Sequence, residues 1–300
     1  MSHPLLFVGS SASHLSLSLQ NLTHLPLARY RLGRFADNEI LFFLEEPVQD
    51  AVCVIVLSTH SPAENLLEAF TIVNTLKING AQKIILVTPY FGYARSDRPL
   101  PNQPINARLF LSFLTQAGVD QFITLNLHSD LVESYFPKPN LHLSFMPSFA
   151  QQIEALGLKN FSVATPDKGG TQRARDFAQF LNLSDIVVVE KHRPTTDTTE
   201  VTHITGNIKG QNIVLVDDMI QTGHTLLNAG QTLKNQGAAD LYVCATHPVY
   251  SAEGIKLLTS TSLFKHLFVT NSISKNILLP TSVTVLDISP LLASAITSLL

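Results

Sequence analysis

The sequence predicts an α/β protein of two tandem domains, each built on a mainly parallel sheet flanked by helices. Two observations carry that prediction. Short apolar runs bounded by turn residues alternate with segments of helical period, and they do so twice, before and after a Pro-punctuated stretch at 137–147. The polar clusters fall where the apolar runs end, which is where open α/β sheets bind ligands. Placing the boundary in that stretch gives domains 1–145 and 146–300, with the last helix able to pack back on the N-terminal domain.

Taken in order, residues 51–57 read as a strand and 61–79 as a helix. Ser61 is expected as its N-cap, Pro62 as its first helical residue and Glu64 as the capping-box acid. A strand follows at 83–88, a helix at 106–116 and a strand at 121–125. Past the boundary, 161–164 reads as a strand. Ala174, Phe177, Ala178 and Leu181 then mark one buried stripe at i, i+3, i+4, i+7 spacing. Strands at 186–189 and 213–216, a helix at 225–236 and a strand at 241–246 complete the second alternation. The runs are continuously apolar, as strands covered on both faces require.

Bulk properties narrow the function classes. Three hundred residues suffice for two domains with a sizeable core. A formal charge of −3 and a pI near 6.4 provide no general attraction for nucleic acid. The two cysteines, Cys53 and Cys244, lie in apolar runs and read as inert core thiols of a reducing cytoplasm. No apolar run reaches membrane-spanning length, and the opening M-S-H-P-L-L-F-V-G-S lacks the basic lead of a signal peptide. The expectation is a cytoplasmic protein that engages neither nucleic acid nor membrane.

The richest segment is I-V-L-V-D-D-M-I-Q-T-G-H-T at 213–225. Asp217 and Asp218 follow the apolar run and supply acceptors suited to sugar hydroxyls or Mg²⁺. Gln221, Thr222, Gly223, His224 and Thr225 form a turn into a helix, whose N–H groups and hydroxyls suit a phosphate. Together they read as a binding site for a phosphorylated sugar. An acidic pair alone would more often serve only to cap a helix.

Further motifs occur at strand ends: G-R-F-A-D-N-E-I at 33–40, T-P-Y-F-G-Y-A-R-S-D-R-P at 88–99 and N-L-H-S at 126–129. T-P-D-K-G-G at 165–170 and V-E-K-H-R-P at 189–194 follow. In this order, and with the 217–225 loop, they resemble the ribose-phosphate pyrophosphokinase (phosphoribosyl-diphosphate synthetase) family. The resemblance runs from about Gly33 to the C-terminal V-L-D-I-S-P-L-L-A-S-A-I. It implies two tandem phosphoribosyltransferase-like domains and a transfer of the diphosphoryl group of Mg-ATP to the anomeric hydroxyl of ribose 5-phosphate. Such transfers depend mainly on positioning and on cations that neutralise phosphoryl charge.

The roles implied by the resemblance are these. Lys191 and Arg193 match the catalytic Lys-x-Arg. Arg95, Ser96, Asp97, Arg98 and His128 are expected at ATP, with Tyr90 and Tyr93 left mostly to core packing. His128 and Asp167 match the positions that hold Mg²⁺, and Asp167, Lys168, Gly169 and Gly170 form a diphosphate loop. Asp217, Asp218 and the 221–225 turn take ribose 5-phosphate. Phe35, Asp37 and Glu39 are similar to a loop that reaches the adenine of a neighbouring subunit. That implies a homo-oligomer, with a dimer as its smallest complete unit and a hexamer as a larger form.

The chain departs from the family pattern at several positions. Asn126 stands for an acid, Ser96 for a glutamine, Gln221 for a third Asp and His224 for a small residue. These departures leave a second reading, a catalytically weak homologue serving as a regulatory or ligand-binding subunit.

Overall fold

In this computed structural model the described residues are 4–192, 201–206 and 208–300, with backbone alone at 190–192 and 201–203. The chain divides into two units. The first comprises Met1–Ser144, Ser272–Ser274 and Asp287–Leu300; the second comprises Phe145–Asn271 and Lys275–Leu286.

In the first unit, β1 (Leu5–Val8), β4 (Val52–Val56), β5 (Lys83–Thr88), β6 (Gln121–Leu125) and β7 (Asn140–Leu143) form a parallel sheet in the order β1-β4-β5-β6-β7. The central strands are buried almost throughout, which explains their unbroken apolar character. The helices are α1 (Ser16–Thr23), α2 (Glu64–Ile78), α3 (Asn106–Ala117), the single turn α4 (Asp130–Glu133) and the C-terminal α9 (Ser289–Thr297), which packs on α1. From α2, Ala69, Ile72, Val73 and Leu76 enter the core at helical spacing, as do Ala107, Leu111 and Leu114 from α3. An antiparallel hairpin, β2 (Tyr30–Arg34) with β3 (Ile40–Leu44), lays Tyr30, Phe42 and Leu44 on this core and leaves Phe43 outside.

The second unit has β8 (Phe161–Thr165), β9 (Ile186–His192), β10 (Val201–Thr205), β11 (Asn212–Ile220), β12 (Leu241–Pro248), β13 (His266–Thr270) and β14 (Val283–Leu286). Their order is β10-β9-β8-β11-β12-β13-β14, with β9–β10 antiparallel and the other pairings parallel. The helices are α5 (Met146–Ala155), α6 (Thr171–Phe180), α7 (His224–Asn235) and α8 (Ala252–Ser260). Both units are thus α/β with mainly parallel sheets, as the alternation predicts. The stripe of Ala174, Phe177, Ala178 and Leu181 is buried. Cys53 and Cys244 are free and buried, and burial alone pushes the Cys53 thiol up to about 12.

Four local expectations change. Ser61 does not cap α2, which begins at Glu64 after Ala63 and without a side-chain cap. Ser61 precedes Pro62 through a cis peptide bond, and the helix opens two residues beyond that proline, so Pro62 is not its first residue. Glu64 stays in the first turn, where its charge favours the helix dipole. The 137–147 connection contains β7, a short edge strand whose single partner, β6, leaves it only half-buried. Strand β9 runs on to His192 because β10 pairs with it as far as Val201. Strand β11 runs on to Ile220, paired with Pro248 of β12, so Asp217 and Asp218 are strand residues and do not follow the strand.

Candidate active site

A cleft of about 490 Å³ opens in the first unit, lined by Tyr93, Arg95, Ser96, Asp97, Arg98, Leu100, Gln103, Pro104 and His128. The chain leaves β5, turns at Tyr93 (φ 66°) and forms the 88–99 loop along one wall. Ser96 closes that loop at its base. Its hydroxyl donates to the Pro104 carbonyl at 2.6 Å and accepts the Asn106 N–H at 3.2 Å, tying the loop to the start of α3. Asp97 is buried, with 3% exposure. Its carboxylate accepts from the Ser129 hydroxyl at 2.5 Å and from Arg98 Nε at 3.2 Å. Desolvation opposes the Asp97 charge, yet the hydrogen bonds from Ser129 and Arg98 outweigh it and hold the carboxyl below its ordinary value. Tyr135 adds a hydroxyl bond to the Asp97 carbonyl at 2.6 Å. Asp97 therefore organises the wall from inside, while Arg95 and Arg98 are exposed.

The 126–129 turn leaves the C-terminal end of β6. Asn126 sits at φ 39°, in the left-handed region that asparagine tolerates better than most residues, and its N–H donates to the Leu143 carbonyl at 2.9 Å. The next N–H, of Leu127, donates to His142 Nε2 at 2.8 Å. His128 then enters the cleft.

Phe35, Asp37 and Glu39 form the tip of the β2–β3 hairpin. Phe35 N–H bonds the Glu39 carbonyl at 2.9 Å, Asp37 Oδ1 accepts the Glu39 N–H at 3.2 Å, and Phe35 is 52% exposed. None of the three lines the cleft described above.

In the second unit, Asp167 follows β8 and opens a single 3-10 turn, Lys168–Gly170, ahead of α6. Its Oδ1 accepts the Gly170 N–H at 3.2 Å, so Asp167 caps the turn. A Cβ on Gly170 would stand 2.3 Å from Thr165 Oγ1, so a larger residue would displace that hydroxyl from its bond to the Asp167 carbonyl. In the first turn of α6, Arg173 Nη1 lies 3.4 Å from Asp217 Oδ1 and 3.4 Å from Asp218 Oδ1. Asp217 Oδ1 also accepts the Asp218 N–H at 2.9 Å. Burial and the neighbouring Asp218 push the Asp217 carboxyl well above the usual range, against the pull of Arg173.

After Ile220 the chain turns at Gly223 (φ 80°) into α7, which opens without a side-chain cap. A Cβ on Gly223 would meet the Gly254 carbonyl at 2.9 Å, so the turn is pressed on the first turn of α8. Gln221, Thr222 and His224 are exposed around this helix start, with Thr225 half-buried. His224 is the first residue of α7, one earlier than the sequence predicts. Acceptors at the half-buried Asp217 and the buried Asp218 thus precede a helix N-terminus rich in donors.

Lys191 lies near the end of β9, paired through its backbone with Thr202; its side chain and the whole of Arg193 lie outside the described residues. Sequence reasoning missed Arg173, Ser129, Tyr135 and His142. Two of them carried a signal: Arg173 is a cation one turn past the Gly169–Gly170 pair, and Ser129 closes the N-L-H-S motif. Among the described residues no group of three His, Cys, Asp or Glu side chains stands ready for a metal ion, and no helix is long and apolar enough to cross a membrane.

Comparison with known proteins extends these local features to the whole chain. Residues 5–118 match a family model described as the N-terminal domain of ribose phosphate pyrophosphokinase, and residues 188–300 match the phosphoribosyl synthetase-associated domain. A curated ribose-phosphate pyrophosphokinase of Shewanella oneidensis is 36% identical over 296 residues, 97% of this chain and 94% of the relative. Its Bacillus subtilis counterpart is 35% identical over 298 residues, with 97% and 92% covered. The crystal structure of phosphoribosylpyrophosphate synthetase from Mycobacterium smegmatis aligns with a TM-score of 0.93 at 27% identity, covering 99% of each chain. Sequence and backbone agree along nearly the full length, and the chain belongs to the ribose-phosphate pyrophosphokinase family.

Proposed function

We propose that this chain transfers the diphosphoryl group of ATP to ribose 5-phosphate, giving 5-phosphoribosyl 1-diphosphate and AMP. One observation carries the reading. The Asp217–Asp218 pair, half-buried at Asp217, buried at Asp218 and held by Arg173, stands at the end of β11 before the start of α7, which has no side-chain cap. Ribose 5-phosphate needs both parts, acceptors for its ring hydroxyls and donors for its phosphate. In the reaction the O1–P bond forms, the bond from the β-phosphorus to the α–β bridging oxygen breaks, and AMP departs with that oxygen. The O1 proton is released.

Arg95 and Arg98, exposed on the cleft wall, are proposed to meet the ATP phosphates, with His128 beside them and Asp97 holding the wall in shape. Asp217 and Asp218 orient the ribose, and the 221–225 turn takes its 5-phosphate. Lys191 and Arg193 are assigned to the transferring group, where positive charge counters the charge gathering on phosphoryl oxygens. Lys168, Gly169 and Gly170 approach the diphosphate through their backbone. Mg²⁺ is the proposed cofactor and, when bound, neutralises phosphoryl charge on ATP. The donor set fits it: this ion keeps several waters and takes one or two protein ligands besides substrate phosphates. In the second unit Asp167 would hold it, since the Gly170 bond uses Asp167 Oδ1 and leaves Oδ2 for a cation; in the first unit the candidate ligand is His128.

Phe35, Asp37 and Glu39 are proposed to complete the adenine pocket of a second copy of the chain, which makes a homo-oligomer, a dimer at least, the working form. Cytoplasmic location completes the proposal. Purified chain given ATP, Mg²⁺ and ribose 5-phosphate should release AMP in step with a phosphoribosyl diphosphate product. ATP and ribose 5-phosphate binding without AMP release would instead support the regulatory-subunit reading. Two of the departures behind that reading have local backbone work, Ser96 in closing its loop and Asn126 in its left-handed turn.

A further inference from the structure

We propose that His142 is a positioning residue for the nucleotide cleft: its Nε2 accepts the Leu127 N–H and so sets the direction in which His128 enters the cleft. The proposal rests on the reading of that cleft as the ATP site.

The 126–129 turn is tied at three successive points. Asn126 N–H bonds the Leu143 carbonyl at 2.9 Å, Leu127 N–H bonds His142 Nε2 at 2.8 Å, and Ser129 Oγ bonds the Asp97 carboxylate at 2.5 Å. His128 lies between the second and third of these ties, which constrain its backbone direction. The outer two are backbone pairing and a hydroxyl bond. The middle tie alone depends on an aromatic side chain of the neighbouring strand. Leu127 is 7% exposed, so its N–H has no ready access to water. A side chain at 142 without an acceptor would leave that N–H unsatisfied, and such a donor pulls the backbone toward another partner.

The bond also specifies the state of the imidazole. Nε2 accepts, so it carries a lone pair and the proton sits on Nδ1. Glu133 Oε2 is 3.7 Å from that Nδ1, on the side of α4. Burial holds His142 below its ordinary value, while Glu133 and Asp130, both on α4, pull the other way. The neutral acceptor form is the one the surroundings favour near neutral pH.

The test compares His142→Phe, which keeps ring volume but offers no acceptor, with His142→Gln, whose amide oxygen reaches about as far as Nε2. Calorimetry should show ATP affinity reduced about tenfold in His142→Phe, in line with the penalty for a stranded buried donor. Ribose 5-phosphate affinity should be unchanged, and His142→Gln should recover most of the ATP affinity. Unaltered ATP affinity in folded His142→Phe overturns the proposal. Equal losses for both substrates with a lowered Tm overturn it too, because they mark general destabilisation. Should His142→Phe not fold, ¹⁵N spectra of histidine-labelled unsubstituted chain decide: the Nδ1–H tautomer is expected, and an Nε2–H tautomer refutes the bond. Turnover of the unsubstituted chain is measured alongside. Its absence counts against the proposed function, whereas the binding and tautomer results bear on His142 alone.

Discussion

Arg173, on α6, holds its Nη1 3.4 Å from Oδ1 of Asp217, on β11. The two lie 44 residues apart in sequence and meet because β8, which leads into α6, pairs with β11. The guanidinium is a cation that partly offsets the repulsion between the two carboxyl groups.

Asp218→Asn keeps size and removes charge. It should weaken ribose 5-phosphate binding about tenfold or more, the scale of a hydrogen bond to a charged group, and leave ATP binding intact. Calorimetric titration with each ligand checks this, and loss of ATP affinity instead would move the pair to the nucleotide side.

The same pair predicts a pH effect on stability. The Asp217 carboxyl holds its proton more tightly in the folded chain than in the unfolded one. Its contribution is therefore fully present below the ordinary aspartate value and is lost as pH rises toward the raised one. Without ligands, stability should fall above about pH 4 through this group, and Asp217→Asn should flatten the decline by on the order of 1 kcal/mol. Urea unfolding at several pH values decides, and identical profiles for both proteins would refute it.

Lys191→Ala should lower kcat far more than it weakens ribose 5-phosphate binding. A charge acting mainly in the transition state shows in turnover, and its loss costs about a hundredfold or more. Steady-state kinetics with kcat unchanged and only KM raised would remove that role.

The hairpin-tip residues lead to a complementation test. If Asp37 serves a neighbour's pocket, co-expressing Lys191→Ala with Asp37→Ala chains should restore part of the activity, because some mixed sites carry both intact groups. Asp37→Ala must first prove impaired by itself. Mixed oligomers recovered by tandem tags yet inactive would mean that each pocket is completed within one chain.

Much of this molecule was legible along the chain because strands buried on both faces write unbroken apolar runs. Residues 83–88 and 121–125 are the strands β5 and β6 to the residue. The motifs are contiguous for a related reason: a strand-end loop gathers neighbours in sequence, so Arg95, Ser96, Asp97 and Arg98 read as one group and line one cleft. Short, half-buried elements were not legible. Strand β7 pairs on one side only, and N-L-H-L carries no pattern that separates it from a loop.

The sequence by itself determined the alternation, the two mainly parallel sheets and the strand-end loops that carry the motifs, since each depends on local periodicity or on a continuous motif. Only the tertiary structure decided the partners of those loops. Arg173 meets Asp217 through the pairing of β8 with β11, and His142 meets Leu127 through the pairing of β6 with β7. Ser129 reaches Asp97 because β5 and β6 are adjacent. Strand order is settled by how all the apolar faces pack together, and no local stretch of residues records it.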